Sequence, residues 1–229
     1  MKPLPLGVLE APGEVQMRVD KAFLYSNPKE PLVRIGVWDP PAVSIGRRQT
    51  PEGPLSPDRL SKKRLGLVQR PTGGLTILHD RGTLTVHLIA PKAILDAYGG
   101  IDQAGLALAE WIARALRQLG FNVSTWPEPP GRKRLVPRET SICLAYTGSA
   151  DILLNGRKVG AGALRVTSTS ILFQAVILIQ RPDYELWAWV DNYPEPRELE
   201  EAFTGLDGIL DYHKLLQLLA ETTILDINT

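Results

Sequence analysis

Gln69-Arg-Pro-Thr-Gly-Gly-Leu-Thr-Ile-Leu-His-Asp80 is the run around which the rest of this chain falls into order. A basic residue, Arg70, leads into the Thr72-Gly73-Gly74 turn, and a β-rich segment then closes on His79-Asp80. Two adjacent glycines let backbone N–H groups come close to a ligand, because no Cβ stands in the way. Such a turn can form an anion-binding concavity, and Arg70 offers a forked donor for a carboxylate or phosphate. Taken alone the run reads first as a Gly-Gly hairpin, a common structure. Its neighbours along the chain change that reading.

Composition sets the outer limits. At 229 residues one compact domain with a small appendage is expected, and a hydrophobic fraction of 44% is enough for a substantial core. The net charge of +1, with basic residues spread out, argues against a nucleic-acid binder, whose affinity rests on concentrated positive charge. The one cysteine, Cys143, excludes an internal disulfide, and without a CxxC pair no metal site is expected. The opening Met1-Lys-Pro-Leu-Pro-Leu-Gly7 is too short and too broken by proline for a signal peptide. No apolar run reaches the ~18–20 residues of a membrane span. A soluble, cytoplasmic protein with no membrane partner is the expectation.

Between Glu14 and Ser26 the apolar positions suit a first helix. Leu32–Trp38 and Ala42–Ile45 read as strands flanking the Asp39-Pro40-Pro41 turn, followed by strands over Leu65–Arg70, Leu75–Leu78 and Thr83–Ile89. The last alternates at period two, as in a sheet with one buried face. Leu106, Ala109, Ile112, Leu116 and Leu119 form one stripe of a helix over Ile101–Leu119, and Gly120 suits the position just past its end. The stretch from Trp126 to Arg138 carries four prolines and four basic residues and reads as an exposed, mobile loop. Asn155-Gly156 marks a hairpin between Asp151–Asn155 and Arg157–Gly160, and Ser170–Gln180 is a long apolar strand. From Asp183 the pattern turns helical, with Leu199–Phe203, Ile209, Tyr212, Leu216 and Leu219. The expected fold class is α/β (α+β), a mixed sheet flanked by helices.

Three polar segments interrupt the apolar strands: Trp38-Asp-Pro-Pro-Ala-Val-Ser-Ile-Gly-Arg-Arg-Gln49, the run from Arg70 to Asp80, and Asn155-Gly-Arg-Lys-Val-Gly-Ala-Gly-Ala163. In this order they resemble the lipoate/biotin protein ligase superfamily. Trp38 to Gln49 is similar to the family's first active-site strand pair. Arg70-Pro-Thr-Gly-Gly is similar to its Arg-x-Thr-Gly-Gly signature loop, and Asp151-Ile-x-x-Asn-Gly-Arg-Lys158 to the hairpin that carries the family lysine. Met17-x-x-Asp20 matches the usual first helix, so the likeness spans roughly residues 15 to 180.

The resemblance implies a biotin/lipoate ligase catalytic-domain-like fold with a mixed, largely antiparallel sheet. With the helical pattern from Asp183, it suggests an acyl-transfer catalytic domain, 1–182, and a small helical segment, 183–229, packed on it. It also implies an enzyme that places an octanoyl or lipoyl group on one lysine of a lipoyl domain or H-protein-like carrier. Lys158 would set a positive charge beside the reacting carbonyl and its oxyanion; read without context it is a solvated lysine after a turn. Cys143, fifteen positions earlier, resembles the nucleophile of cysteine-dependent octanoyltransferases, where an octanoyl thioester on acyl carrier protein is passed to the cysteine and then to the carrier lysine. A nearby ammonium such as that of Lys158 favours the thiolate that such chemistry needs. The alternative for Cys143 is a small buried apolar residue.

The other implied substrate- or adenylate-binding residues are Arg47, Arg70, Thr72, Gly73, Gly74, His79, Asp80, Gly156 and Gly162. Asp80 and Asp151 suit turn-organising roles, whereas His87 and His213 read as structural. Leu75 stands where the family usually has Gly or Arg, Leu164 falls within a changed post-lysine run, and Ala175-Val176 replaces a His-Gly pair after Gln174. These departures suit a specialised acyl pocket or a paralogue without turnover. An octanoyltransferase is favoured slightly. An ATP-dependent lipoate–protein ligase with Mg2+ and an acyl adenylate is the alternative, and a non-catalytic carrier-binding paralogue the second. The short helical tail favours the transferase or a compact ligase. No tightly bound cofactor and a monomer are expected.

Overall fold

The computed structural model describes residues 1–224, so the last five residues of the expected 183–229 segment lie outside the described residues. Along them run β1 (Leu4–Ala11), α1 (Gly13–Tyr25), β2 (Leu32–Trp38), β3 (Ala42–Ile45), α2 (Pro57–Ser61), β4 (Gly66–Gln69), β5 (Ile77–His79), β6 (Thr83–Pro91), α3 (Ile101–Gln118), β7 (Val123–Ser124), β8 (Asp151–Leu154), β9 (Arg157–Val166), β10 (Ser170–Leu178), α4 (Tyr184–Asp191), α5 (Pro196–Ala202) and α6 (Tyr212–Glu221). A large sheet has the order β1-β2-β6-β10-β9-β8-β7, and a small one the order β4-β3-β5. β1 with β2 and β3 with β4 are parallel, and the other pairings are antiparallel. This is a mixed, largely antiparallel α+β architecture.

The period of two explains how one strand serves two layers. On β10, Ile171, Phe173, Ala175 and Ile177 join the larger core, with Ala104, Leu108, Ile112 and Leu116 of α3 and Leu215 and Leu219 of α6. Val176 and Leu178 face the other way, into a second core with Val43 and Ile45 of β3, Ile77 of β5 and Trp187 of α4. β6 was expected to bury one face, but every residue from Thr83 to Ala90 is buried. The small sheet and α1 cover its second face, which is why that face carries Thr83, Thr85 and His87 without meeting water.

α3 matches its predicted span closely, and Gly120 follows it at φ +92. The Asn155-Gly156 hairpin forms with both turn residues at positive φ, although β9 runs on to Val166, past the expected Gly160. β1 had no counterpart in the sequence reading. Its prolines hide the pattern, yet an edge strand tolerates them, and the pairing with β2 shifts register between Pro5 and Gly7. In the C-terminal stretch, α4 and α5 enter the smaller core and α6 the larger, whereas Ile209 lies outside α6 and is fully exposed. The 126–138 stretch is without long elements, as expected, but it is pinned: Lys133 N–H donates to Thr147 Oγ1 at 2.8 Å, and Thr147 Oγ1 donates to the Gly131 carbonyl at 2.6 Å. No helix among the described residues is long and apolar enough to cross a membrane.

Candidate active site

The Gly-Gly turn is built by the end of β3. Arg47 N–H donates to the Thr72 carbonyl at 3.0 Å and Arg70 N–H to the Ile45 carbonyl at 3.0 Å. A methyl group at Gly46 would overlap the carbonyl oxygen of Gly74, so the two loops touch only because Gly46 lacks a side chain; Gly74 itself sits at φ +86. The Arg70 guanidinium lies beneath this turn. Its Nη1 donates to the Ser44 carbonyl and hydroxyl, both at 3.1 Å, and its Nη2 to the carbonyls of Gly73 at 2.9 Å and Leu75 at 2.5 Å. Arg70 is therefore committed to the loop, a different task from the free substrate fork that the sequence suggested. Burial pulls its pKa down, and attraction to Cys143 pushes it back up.

Cys143 opens a 3-10 turn, Cys143–Ala145, and is half-buried. Three anchors fix that turn. Cys143 N–H donates to the Thr76 carbonyl at 2.9 Å, and Thr76 N–H to the Ser141 carbonyl at 2.7 Å. Asp191, at the end of α4, accepts from Ser141 N–H at 3.0 Å and from the Thr140 and Ser141 hydroxyls. The result sets Cys143 Sγ 3.7 Å and Arg70 Nη2 2.9 Å from where a Cβ on Gly74 would be, so thiol and guanidinium face the same glycine.

Lys158 is 2% exposed. Its Nζ meets Asp151 Oδ1 at 2.7 Å and donates to the Tyr146 carbonyl at 2.6 Å; the Cys143 carbonyl lies further off, at 3.5 Å. The ammonium thus grips the turn that carries Cys143 and keeps one weakly engaged N–H. Asp151 does more than order a turn, although it does accept from Gly148 N–H at 2.8 Å. Its Oδ2 also accepts from Trp126 Nε1 at 3.2 Å, which ties the proline-rich loop to the lysine.

A buried polar row crosses the large sheet next to this site. Cross-strand register aligns Arg34 with His87, His87 with Gln174, and Gln174 with Ala163. Thr72 Oγ1 donates to Gln174 Oε1 at 2.6 Å, and Gln174 Nε2 donates to Asp20 Oδ2 at 2.6 Å. Arg34 Nη2 reaches Asp20 Oδ1 at 2.5 Å, and His87 Nδ1 lies 2.8 Å from Asp20 Oδ2. Burial alone would raise the Asp20 pKa, but His87 and Arg34 outweigh it and the net shift is downward. Burial, seconded by Arg34, lowers the pKa of His87. The ring is therefore neutral, with its proton assigned to Nδ1 toward Asp20 and its Nε2 unpartnered. Gln174 has no assigned role in the sequence and Asp191 is not marked by it at all; the retained Gln before Ala175-Val176 was the available signal for the first, and nothing local pointed to the second.

Three connected spaces follow. A slot of about 220 Å3 is lined by Gly74, Cys143, Tyr146, Asp151, Lys158 and Gly162. Behind Cys143 an inner cavity of about 30 Å3 is bounded by Met17, Trp38, Arg70, His79, Gln174 and Val176. An open groove of about 600 Å3 lies outside the Gly73-Gly74 turn and includes Arg47. His79 stacks on Trp38, with ring centroids 3.7 Å apart, and its Nε2 lies 2.8 Å from Ser44 Oγ. Burial and the nearby Arg70 push its pKa well below the usual histidine value, so it is a neutral wall of the cavity. Thr72 acts from behind the turn through Gln174. Asp80 and Gly156 are not brought to the slot: Asp80 caps the turn to Gly82 and borders a separate pocket with Asp183, and Gly156 is at the hairpin tip.

The lipoyl protein ligase A/B catalytic domain model matches residues 12–196. This chain belongs to that family. Among curated relatives, the octanoyltransferase LipM of Geobacillus kaustophilus is 31% identical over 202 residues, covering 82% of this chain and 69% of the relative. The octanoyltransferase LipM of Kyrpidia tusciae is 28% identical over 185 residues, covering 79% and 67%. In fold, the chain is similar to lipoate-protein ligase A bound with ATP, with TM-score 0.74, 23% identity, and 96% and 83% coverage. It is also similar to the bipartite lipoate protein ligase of Thermoplasma acidophilum, studied with its E2 lipoyl domain, with TM-score 0.68, 17% identity, and 96% and 82% coverage.

Proposed function

We propose that this lipoyl ligase-family enzyme is a cysteine-dependent octanoyltransferase that moves an octanoyl group from a carrier thioester to a lysine of a lipoyl domain. The observation that carries the reading is the slot itself, which Cys143, Lys158 and Gly74 line together; the octanoyltransferase relatives support the substrate. The Cys143 thiolate attacks the thioester carbonyl, and the oxyanion that forms takes the weakly engaged N–H of Lys158, which is electrostatic stabilisation of developing charge. Collapse breaks the C–S bond to the donor arm, which leaves as a thiol with the proton that the Cys143 thiol gave up. The acceptor lysine then attacks the octanoyl-Cys143 thioester, an amide forms, and the cysteine thiol is restored.

The inner cavity has room for about one water as it stands, so an acyl chain enters it only as Met17 and its neighbours move aside. The working unit includes α4, because Asp191 holds the turn that presents Cys143. On this reading no bound cofactor takes part; ATP and Mg2+ belong to the ligase alternative, in which lipoate or octanoate becomes an adenylate.

Incubation with an apo lipoyl domain and either octanoyl-acyl carrier protein, or lipoate with Mg-ATP, separates the two by the mass of the lipoyl domain. The expected result is modification from the thioester without ATP, an octanoyl adduct on the enzyme, and loss of both in Cys143→Ser. Modification that needs ATP and survives Cys143→Ser would reject the transferase.

A further inference from the structure

The outer groove has a charge pattern that the transfer step does not use. Arg47, Arg48, Arg132 and Arg165 all line it, and no carboxylate does, in a chain whose net charge is only +1. Among the described residues the side chains of Arg47, Arg48 and Arg165 take part in no hydrogen bond or ion pair, and Arg132 only stacks over the Tyr146 ring, 4.8 Å from its centroid. Gly73 and Gly74 form the groove's inner edge, and among the described residues no protein acceptor takes their backbone N–H groups. Four guanidinium groups and unclaimed backbone donors at one concavity make an anion site, and guanidinium geometry suits phosphate oxygens in particular.

The groove is continuous with the catalytic slot: Gly74, Leu75 and Arg132 line both. One molecule can therefore rest an anionic group in the groove and place a carbonyl at Cys143.

We infer that this groove binds the phosphate of the acyl donor's leaving arm, a phosphopantetheine-type thioester whose carbonyl reaches Cys143 while its phosphate rests among Arg48, Arg132 and Arg165. The inference rests on the transferase reading and adds the recognition element for its donor. It explains how a donor with a featureless apolar chain is oriented, since the charged end of the arm sets the register of the carbonyl. An acyl adenylate also carries a phosphate near its carbonyl, so the test must separate the two sources.

The test uses the full chain and small donors. Octanoyl-pantetheine, octanoyl-phosphopantetheine and octanoyl adenylate are each reacted with the enzyme, and Cys143 acylation is timed by intact mass. Arg48→Gln/Arg165→Gln, which alters two groove arginines outside the reacting centre, is compared with the unaltered chain. Charge-assisted hydrogen bonds to one phosphate are worth about tenfold or more in rate. The phosphorylated thioester should therefore outpace the unphosphorylated one by at least about tenfold. In the double variant that ratio should fall toward one, with the unphosphorylated rate and the melting temperature unchanged. Equal rates for the two thioesters, or a ratio that survives the double variant, overturns the groove assignment and leaves the transferase intact. A variant defect confined to octanoyl adenylate, or to transfer from octanoyl-Cys143 onto the lipoyl domain, overturns it in favour of those occupants. No acylation by any donor removes the transferase reading itself.

Discussion

Asp151→Asn probes the ion pair on which the catalytic turn depends. Asp151 and Lys158 are each 2% exposed and 2.7 Å apart, so solvent screens their attraction very little. Asparagine keeps an oxygen for Gly148 N–H and Trp126 Nε1 but removes the charge, leaving a buried ammonium with only backbone carbonyls. Breaking a buried pair from one side costs about 3–5 kcal/mol, because the surviving charge is uncompensated. For a chain of this size each kcal/mol moves the melting temperature by about 2–4 °C. The expected drop is therefore about 6–20 °C by calorimetry. Lys158→Met should cost a similar amount from the other side, and the double variant should be less unstable than the sum by about 0.5–3 kcal/mol. Activity should separate from stability: at 20 °C, where the folded form dominates, Lys158→Met should lower Cys143 acylation by on the order of 100-fold, as the loss of an oxyanion donor does. A melting shift under about 2 °C for Asp151→Asn, well below the buried-pair cost, would refute the reasoning.

Gly46→Ala should destabilise by about 1–3 kcal/mol or more and slow acylation, because its methyl meets the Gly74 carbonyl. Gly73→Ala, with open space at that position, should be nearly neutral in melting; the two behaving alike would disprove the close approach. Gln174→Ala should cost about 1–3 kcal/mol by leaving Thr72 and Asp20 each short of a partner, and should lower kcat/KM through a looser Gly-Gly turn. Unchanged denaturation midpoints and kinetics would dismiss that link. Both buried histidines have folded pKa values below the ordinary 6.5, so below that pH the unfolded chain binds more protons and stability falls as pH drops. A histidine that stays neutral in the folded chain throughout costs at most about 1.4 kcal/mol in all between pH 7.5 and 5.5, and urea titrations at those two pH values measure the loss. Asp20, whose folded pKa is lowered, adds a further loss only as pH falls below its ordinary 3.8. A flat profile between pH 7.5 and 5.5 would contradict the neutral assignments.

Much of the fold is legible in the chain because its signals are local. The Asn155-Gly156 turn, the stripe of Ile101–Gln118 and the alternation of Thr83–Ala90 each report a backbone conformation or a buried face within a few residues. The resemblance of the Arg70–Asp80 and Asp151–Lys158 segments extends that reading to the loop and the lysine. β1 escaped because Pro3, Pro5 and Gly7 obscure an edge strand whose pairing is supplied by β2.

What local pattern could not reveal is which partners meet. The packing of α1 over the sheet brings Gln174 of β10 beside Asp20, 154 positions away, and α4 carries Asp191 to Ser141, 50 positions back. Arg70 looked free to bind substrate, yet folding buries it under its own loop and beside Cys143. Periodicity specifies the face on which a side chain lies, so the strands, helices and Gly-Gly turn were set by the sequence itself. The partner opposite that face depends on strand order and on how a second layer packs over it. The Lys158–Asp151 clamp, the Thr72–Gln174–Asp20 link and the arginine groove were therefore decided only by tertiary structure.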